Sequence, residues 1–499
     1  MLFNSYGFVF AFFPVLLAVC YACLKIENKG GGTKYAALLL PGVLLLASLL
    51  FYGFERPEYL PVFLGSMGIN YFLFRLMERV SAKGKKAVLF VGLVFHLGLL
   101  LGFKYRDTGG FVPLGISFFT FTQIAFLTEG FRGNLKKVSL LFYGLYVSFF
   151  PKVMQGPIAL PGEMLSQFES RFSHKTEKRQ IDWEQVYRGL CLFVLGLFKK
   201  VLIADTLGGA ADFGYSNLAL LNSGDGLIVM LSYTLQLYFD FSGYCDMAMG
   251  IAQMLGFELP PNFDAPYKAA DIMEFWDRWH MTLTRFFTRY LYIPLGGSRR
   301  GRLRTYINCL IVFLVSGIWH GAGAQFVIWG LLHGGLFVLT RMWKDFRGNS
   351  PGPESGLSKT SALSAGGFHA LRVLLTFLYV NIAWIFFRAP SVKEALALLQ
   401  TIGSFSFGRI NRELAGCFNL DEFWYVIKVL GLDRWQYAHY ILMVLILTAA
   451  LLLVFFAKTA VSVSKRAKPG ARGAFFLAVL FVWSVLSFSG VSSFLYVNF

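Results

Sequence analysis

The sequence predicts an all-α, polytopic membrane protein, and three observations carry that prediction. Hydrophobic residues fill 56% of the 499 positions and charged residues only 15%, far from the balance of a soluble chain of this length. Several stretches approach or exceed the ~20 residues of a bilayer crossing without one Asp, Glu, Lys or Arg. The basic residues behind a net charge of +18 gather in short loops between those stretches. That distribution belongs to a positive-inside membrane protein and argues against a nucleic-acid partner.

Taken in order, runs free of acids and bases other than histidine cover 1–24, 35–53, 87–103, 305–340, 440–457 and 473–499. Weaker candidates lie near 59–74, 110–128, 138–158, 186–204, 226–250 and 369–387. Together they predict roughly ten to twelve membrane segments, some re-entrant or interfacial, in one integral-membrane domain spanning 1–499. The first segment lacks a basic leader and a small-residue cleavage site, so it is expected to be retained. The loops holding Arg75, Arg79, Lys83, Lys85 and Lys86, then Arg132, Lys136 and Lys137, then Lys458, Lys465, Arg466, Lys468 and Arg472 should face the cytoplasm. Counting outward from them puts both termini on the opposite side.

Three polar stretches interrupt the apolar pattern. Residues 162–184 mix both signs of charge, and His174 there reads as a solvated loop residue. Residues 343–367 are rich in Gly, Ser and Pro and read as a flexible loop. Residues 391–436 keep a helical period in "VKEALALLQTI" and are expected to lie along the membrane surface as an interfacial helical stretch. The six cysteines, Cys20, Cys23, Cys191, Cys245, Cys309 and Cys417, read as small buried hydrophobes, with neither a metal-ligand spacing nor a disulfide framework.

Polar groups in apolar surroundings are costly, which makes them candidates for function. They concentrate in the middle of the chain. In "LQLYFDFSGYCDMAMG", Asp240 and Asp246 are six residues apart and do not share a face of a continuous helix, although Gly243 offers a place to break one. One reading pairs an acid with an arginine of a neighbouring helix; the other leaves it on a polar path through the membrane. In "FWDRWHMTLTRFFTRYLYIPLGG", a continuous helix would set Arg278, Arg285 and Arg289 in one stripe, opposite Trp276 and His280. Such a guanidinium edge binds phosphates bidentately, lipid headgroups included.

The 36 residues of 305–340 are too many for one straight span, and Gly317, Gly321 and Gly323 mark where it should bend or break. His320 lies at that point, in "SGIWHGAGA". An imidazole at a helix break can face a cavity, accept a proton from an alcohol and release it later. Packing is the competing reading. His333, thirteen residues on, reads as a packing or tunnel-lining residue, and His96, between apolar neighbours, as structural.

The segments "PLGISFFTFTQ", "FFPKVMQGPI", "YFDFSGYCDMAMG", "NFDAPY", "FWDRWHMTLTRFFTRYLYIPLGG", "SGIWHGA" and "WIFFRAPS" resemble, in order and approximate spacing, those of the bacterial membrane-bound O-acyltransferases. The members that acetylate alginate are the nearer match, and those that D-alanylate teichoic acids the more distant one. Cys245 stands where that pattern usually has serine, and Thr282 and Thr284 where serines are common.

The resemblance implies a ring of helices around a thinned centre with a tunnel, its motif-bearing core over 105–340. It also implies a bacterial inner-membrane location and a thioester donor, acyl-CoA or an acyl carrier protein, as substrate, with no bound cofactor and no metal. The final acceptor is an exported polysaccharide, reached directly or through an extracytoplasmic esterase-like (SGNH) transferase. The family histidines map onto His320, as general base, and His280. Asp240, Asp246, Trp319 and Asp277 would line the tunnel or orient the acceptor, and Arg278, Arg285 and Arg289 are candidates for the donor's phosphates. Tyr496, in the terminal "SSFLYVNF", is a candidate acyl relay, with anchoring at the membrane interface as its other reading. Outside this resemblance, intramembrane Asp and His are also what a proton-coupled exporter would carry.

Overall fold

The computed structural model describes residues 1–29, 34–105, 111–135, 137–172, 180–348, 359–419, 425–426, 428–431, 435, 437–490 and 494–495. These residues form helices and connecting turns, with no strand among them. By internal contacts the chain divides into two compact units. The first comprises Met1–Leu197, Tyr244–Pro261 and Val463–Phe499; the second comprises Phe198–Gly243 and Asn262–Ser462.

In the first unit, α1 (Phe13–Lys29), α2 (Lys34–Gly53), α3 (Leu60–Met77) and α4 (Ala82–Tyr105) are followed by α5 (Ile116–Phe131), α6 (Leu140–Ser148), α7 (Pro161–Phe172) and α8 (Trp183–Phe198). A buried polar chain ties α3 to α6 together. His96 Nε2 meets Asn70 Oδ1 at 2.8 Å, and Asn70 Nδ2 donates to the Tyr143 hydroxyl at 3.1 Å. That hydroxyl donates to Gln123 Oε1 at 3.2 Å, and Gln123 Nε2 donates to Ser66 Oγ at 3.0 Å. Buried polar groups that find partners fix one packing of the helices. His96 is therefore structural, as its setting predicted.

The second unit holds α9 (Asp205–Ser216), most of α10 (Ser223–Met254), α11 (Ile272–Arg278), α12 (Met281–Phe287), α13 (Arg302–His320), α14 (Ala324–Arg347), α15 (Lys359–Arg388), α16 (Val392–Gly403) and α17 (Ala438–Phe456). The last long helix, α18 (Ala471–Leu486), belongs to the first unit. The 36-residue run breaks where its glycines cluster: α13 stops at His320, Gly321 is extended, and α14 starts after Gly323. Gly317 has a different task. A Cβ there would sit 2.4 Å from the Phe326 carbonyl oxygen, and one on Gly330 would sit 2.6 Å from that of Phe313. These two glycines let the backbones of α13 and α14 touch, as small residues do between membrane helices.

Among the described residues, seven helices are long and apolar enough to cross a membrane: Gly7–Asn28, Pro57–Met77, Ala82–Tyr105, Arg302–His320, Ala324–Arg347, Gly367–Arg388 and Ala438–Phe456. Leu38–Gly53 and Ala471–Leu486 are apolar but shorter. The chain is a multi-pass membrane protein. The other candidates among the expected ten to twelve segments differ in kind: α6 has nine residues, and α10 carries an ion pair along its 32.

The first two polar stretches are more helical than their composition suggested. Pro161–Phe172 forms α7, α14 runs on to Arg347, and α15 starts at Lys359. His174 and residues 349–358 of the Gly/Ser/Pro segment lie outside the described residues. "VKEALALLQTI" is α16, capped by Ser391, whose hydroxyl accepts from the Glu394 N–H and donates to the Glu394 carboxylate.

Candidate functional site

The second unit gathers several of the residues singled out above. His320 ends α13 and is buried, its ring against Trp319 (4.5 Å between centroids), Phe387 (4.8 Å) and Trp329 (5.2 Å). Phe387 and Trp384 come from the "WIFFRAPS" segment, which explains that motif's aromatic content. Trp384 lies 5.8 Å from Trp329 and 5.0 Å from Trp279, so one aromatic cluster connects the surroundings of His320 with the residue preceding His280. His333 is wholly buried in the same cluster and accepts a hydrogen bond from Trp276 Nε1 at 3.3 Å, which makes it a packing residue.

His280 occupies a left-handed backbone position (φ 45°, ψ 48°) between α11 and α12. A non-glycine residue there is strained and is held by its surroundings. Asn262, from "NFDAPY", provides that hold. Its Oδ1 accepts from the Thr282 N–H (3.1 Å) and Thr282 Oγ1 (2.6 Å), and it faces His280 Nδ1 at 3.3 Å. Because Oδ1 can only accept, the proton sits on Nδ1 and the lone pair on Nε2. Nε2 is buried without a hydrogen-bond partner in the structure. Burial pulls the pKa of this imidazole down to about 3 and keeps the ring neutral. Asn262 was not singled out in advance; its place in a short motif eighteen residues before the histidine was the available signal.

The helix break at Trp279 and His280 corrects the arginine stripe. Only Arg285 and Arg289 continue on one helical stretch, through α12 and the wider turn Thr288–Tyr292. Arg278 ends α11, donating to Glu274 Oε1 at 2.7 Å and to the Asp264 carbonyl at 3.4 Å. Asp277 and Arg341 instead line a cavity of about 250 Å³ walled by Trp276, Phe287, Phe313 and Phe337. Partial burial, then repulsion from Asp271 and Glu274, lifts the Asp277 carboxyl above its ordinary value, with Lys344 and Arg278 pulling the other way. Cys309, Phe313 and Ser316 give the cavity a wall on α13, and His320 continues that face one turn beyond Ser316.

Asp240 has a lysine partner rather than an arginine. Lys200 Nζ donates to Asp240 Oδ1 at 2.7 Å and to Asp205 Oδ1 at 2.8 Å, with Lys200 and Asp240 buried and Asp205 partly so. Neither Lys200 nor Asp205 stood out in the sequence, because each reads as the polar edge of an apolar run. Gly243 does not interrupt α10, so Asp246, also buried, points away from the face that carries Asp240. Trp319 is buried beside His320. Tyr496 lies outside the described residues.

Comparison with known proteins identifies the family. Residues 77–355 match the model of MBOAT, the membrane-bound O-acyltransferase family. A peptidoglycan O-acetyltransferase of Helicobacter pylori is 38% identical over 448 residues, covering 80% of this chain and 79% of that protein. A protein of Pseudomonas aeruginosa named "Probable alginate O-acetylase AlgI" is 34% identical over 431 residues, 82% of this chain and 75% of its own length. A teichoic acid D-alanyltransferase of Bacillus subtilis is 28% identical over 242 residues, 45% of this chain and 58% of that protein. With its membrane helices, this family match and two relatives above 30% identity, the chain belongs to the membrane-bound O-acyltransferase family and is an O-acyltransferase.

Proposed function

We propose that this enzyme moves an acetyl group from a cytoplasmic thioester, acetyl-CoA or an acetylated carrier protein, to hydroxyls of an exported polysaccharide in the bacterial inner membrane. The observation that carries the reading is the position of His320, buried at the helix break that ends α13 and one turn beyond Ser316, which lines the cavity. His320 takes the proton of the attacking hydroxyl as its oxygen adds to the thioester carbonyl. The tetrahedral oxyanion then collapses, the C–S bond breaks, and the thiolate leaves and regains the proton from the imidazolium. His280 and Asn262 support the backbone beneath the site, and Trp319 and Asp277 contribute to the acceptor's path.

Two relatives above 30% identity, named for peptidoglycan and alginate, support a glycan hydroxyl as acceptor and acetyl as the group moved. An alginate-like acceptor and an extracytoplasmic esterase-like partner fit the same reading. D-alanyl transfer has the weaker support of a shorter, less identical match. Purified protein given a labelled acetyl thioester should hydrolyse or transfer it. His320→Ala should lower that rate by about 10²–10⁴-fold, the span of general-base contributions. Unchanged turnover would exclude His320 as the base, and an untouched thioester with solute still moved would favour an exporter. The relay role for Tyr496 predicts that Tyr496→Phe abolishes polymer acetylation in cells while thioester hydrolysis by the purified protein persists; full polymer acetylation would exclude it.

A further inference from the structure

The first unit contains a cavity of about 330 Å³ that the acyl-transfer reading does not use. Leu17 and Leu24 of α1 and Leu40 and Leu44 of α2 form an apolar wall. The lining also holds Arg171 of α7, Gln253 and Gly256 of α10 and its following turn, and Trp183 and Gln185 at the start of α8. Volumes of ~300–1,000 Å³ are typical of small-molecule sites. The combination of an apolar helix wall with a guanidinium is more specific than the volume.

Three features give the cavity a preference for anions. Arg171 is held there by design of the backbone: it donates to the Gly256 carbonyl at 3.1 Å, and its guanidinium fills the space a Cβ on Gly256 would need, 2.1–2.2 Å away. Gly256, at φ +85°, suits the turn for the same reason. The sixteen-residue α8 starts at this cavity, with Trp183 and Gln185 in the lining, and adds the positive end of a helix dipole. Lys25 lies over the ring of Tyr21, which lines the same wall, with Nζ 4.5 Å from its centroid. The one acid in the lining, Asp182, accepts the Gln185 N–H at 2.9 Å and so serves as the cap of α8.

We infer that this cavity holds one anionic phospholipid, with an acyl chain along Leu17, Leu24, Leu40 and Leu44 and the phosphate at Arg171. The α1 wall belongs to a segment suited to cross the membrane and the α2 wall to a shorter apolar helix, so a bilayer lipid reaches the site laterally, and anionic headgroups are abundant in the cytoplasmic leaflet. Both lipids carry the phosphate, but the trimethylammonium of phosphatidylcholine would meet the same guanidinium, and that repulsion is sufficient to favour phosphatidylglycerol by about tenfold.

The test is native mass spectrometry of the full chain, purified in detergent, stripped of lipid and titrated with phosphatidylglycerol, phosphatidylcholine or acetyl-CoA. Wild-type protein should retain one phosphatidylglycerol in preference to phosphatidylcholine. Arg171→Gln should lose about tenfold of that preference, and Leu17→Trp, which crowds the apolar wall and leaves Arg171 untouched, should lose retention of both lipids. Thermal melting of both variants in the same detergent identifies any loss caused by unfolding. Equal retention of the two lipids by wild type, or unchanged retention in a folded Leu17→Trp, would overturn the inference. Displacement of phosphatidylglycerol by acetyl-CoA would also overturn it, assigning the cavity to the thioester donor.

Discussion

An imidazole kept neutral inside a protein is a usable base only if the rest of the fold holds its lone pair where a proton arrives. His280 meets the first condition through Asn262, which fixes the proton on Nδ1. Its pKa of about 3 gives that burial a measurable signature. The unfolded chain protonates the same ring near 6.5, so between those values the unfolded state holds more protons and stability falls as pH falls. At pH 5 this amounts to about 2 kcal/mol. His280→Asn keeps a residue tolerant of the left-handed backbone and removes the titration. The melting temperature of wild type in detergent should therefore drop more between pH 7.5 and pH 5 than that of the variant; equal drops would mean the ring is not held neutral by burial. In the sequence, His280 and His320 were visible as ionisable groups in apolar surroundings. Lys200, Asp205 and Asn262 were not, because a residue that completes another's charge or hydrogen bonds is identified by its partner, and partners forty or eighteen residues apart leave no local pattern.

Among the elements, the α13–α14 hairpin is the piece whose geometry sets the position of His320. Three glycines were legible as a break, and two of them mark it; Gly317 instead belongs to the helix contact. Gly317→Ala would press a methyl group on the Phe326 carbonyl and should cost about 1–3 kcal/mol, read as a lower melting temperature and reduced thioester turnover. Gly335→Ala, where a Cβ meets nothing within 4 Å, should be neutral or slightly stabilising in the same helix. Similar losses at both positions would show that helix propensity, not the close contact, governs the hairpin. The arginine stripe failed as an expectation for an equally local reason. Periodicity assumes one uninterrupted helix, and the left-handed turn at His280 rephases everything that follows Arg278.

For the molecule as a whole, composition identified the membrane class because hydrocarbon tolerates few ions, and the long outer spans followed directly from it. The central segments were harder to read, since helices such as α5 are surrounded by protein and need not match the bilayer's thickness. The basic loops carry a further expectation: a cysteine at Lys83 should react with a membrane-impermeant maleimide only after the inner membrane is opened, and labelling in intact spheroplasts would reverse the orientation. The largely buried Asp205–Lys200–Asp240 group bears on how such a chain is made. The ribosome delivers Lys200 and Asp205 first, and Asp240 follows forty residues later. A lone ion at mid-bilayer costs about 2.5–3.5 kcal/mol on the insertion scale. The earlier segment is therefore best released from the translocon in company with α10, so that the counter-charge is already in hand when lipid replaces water.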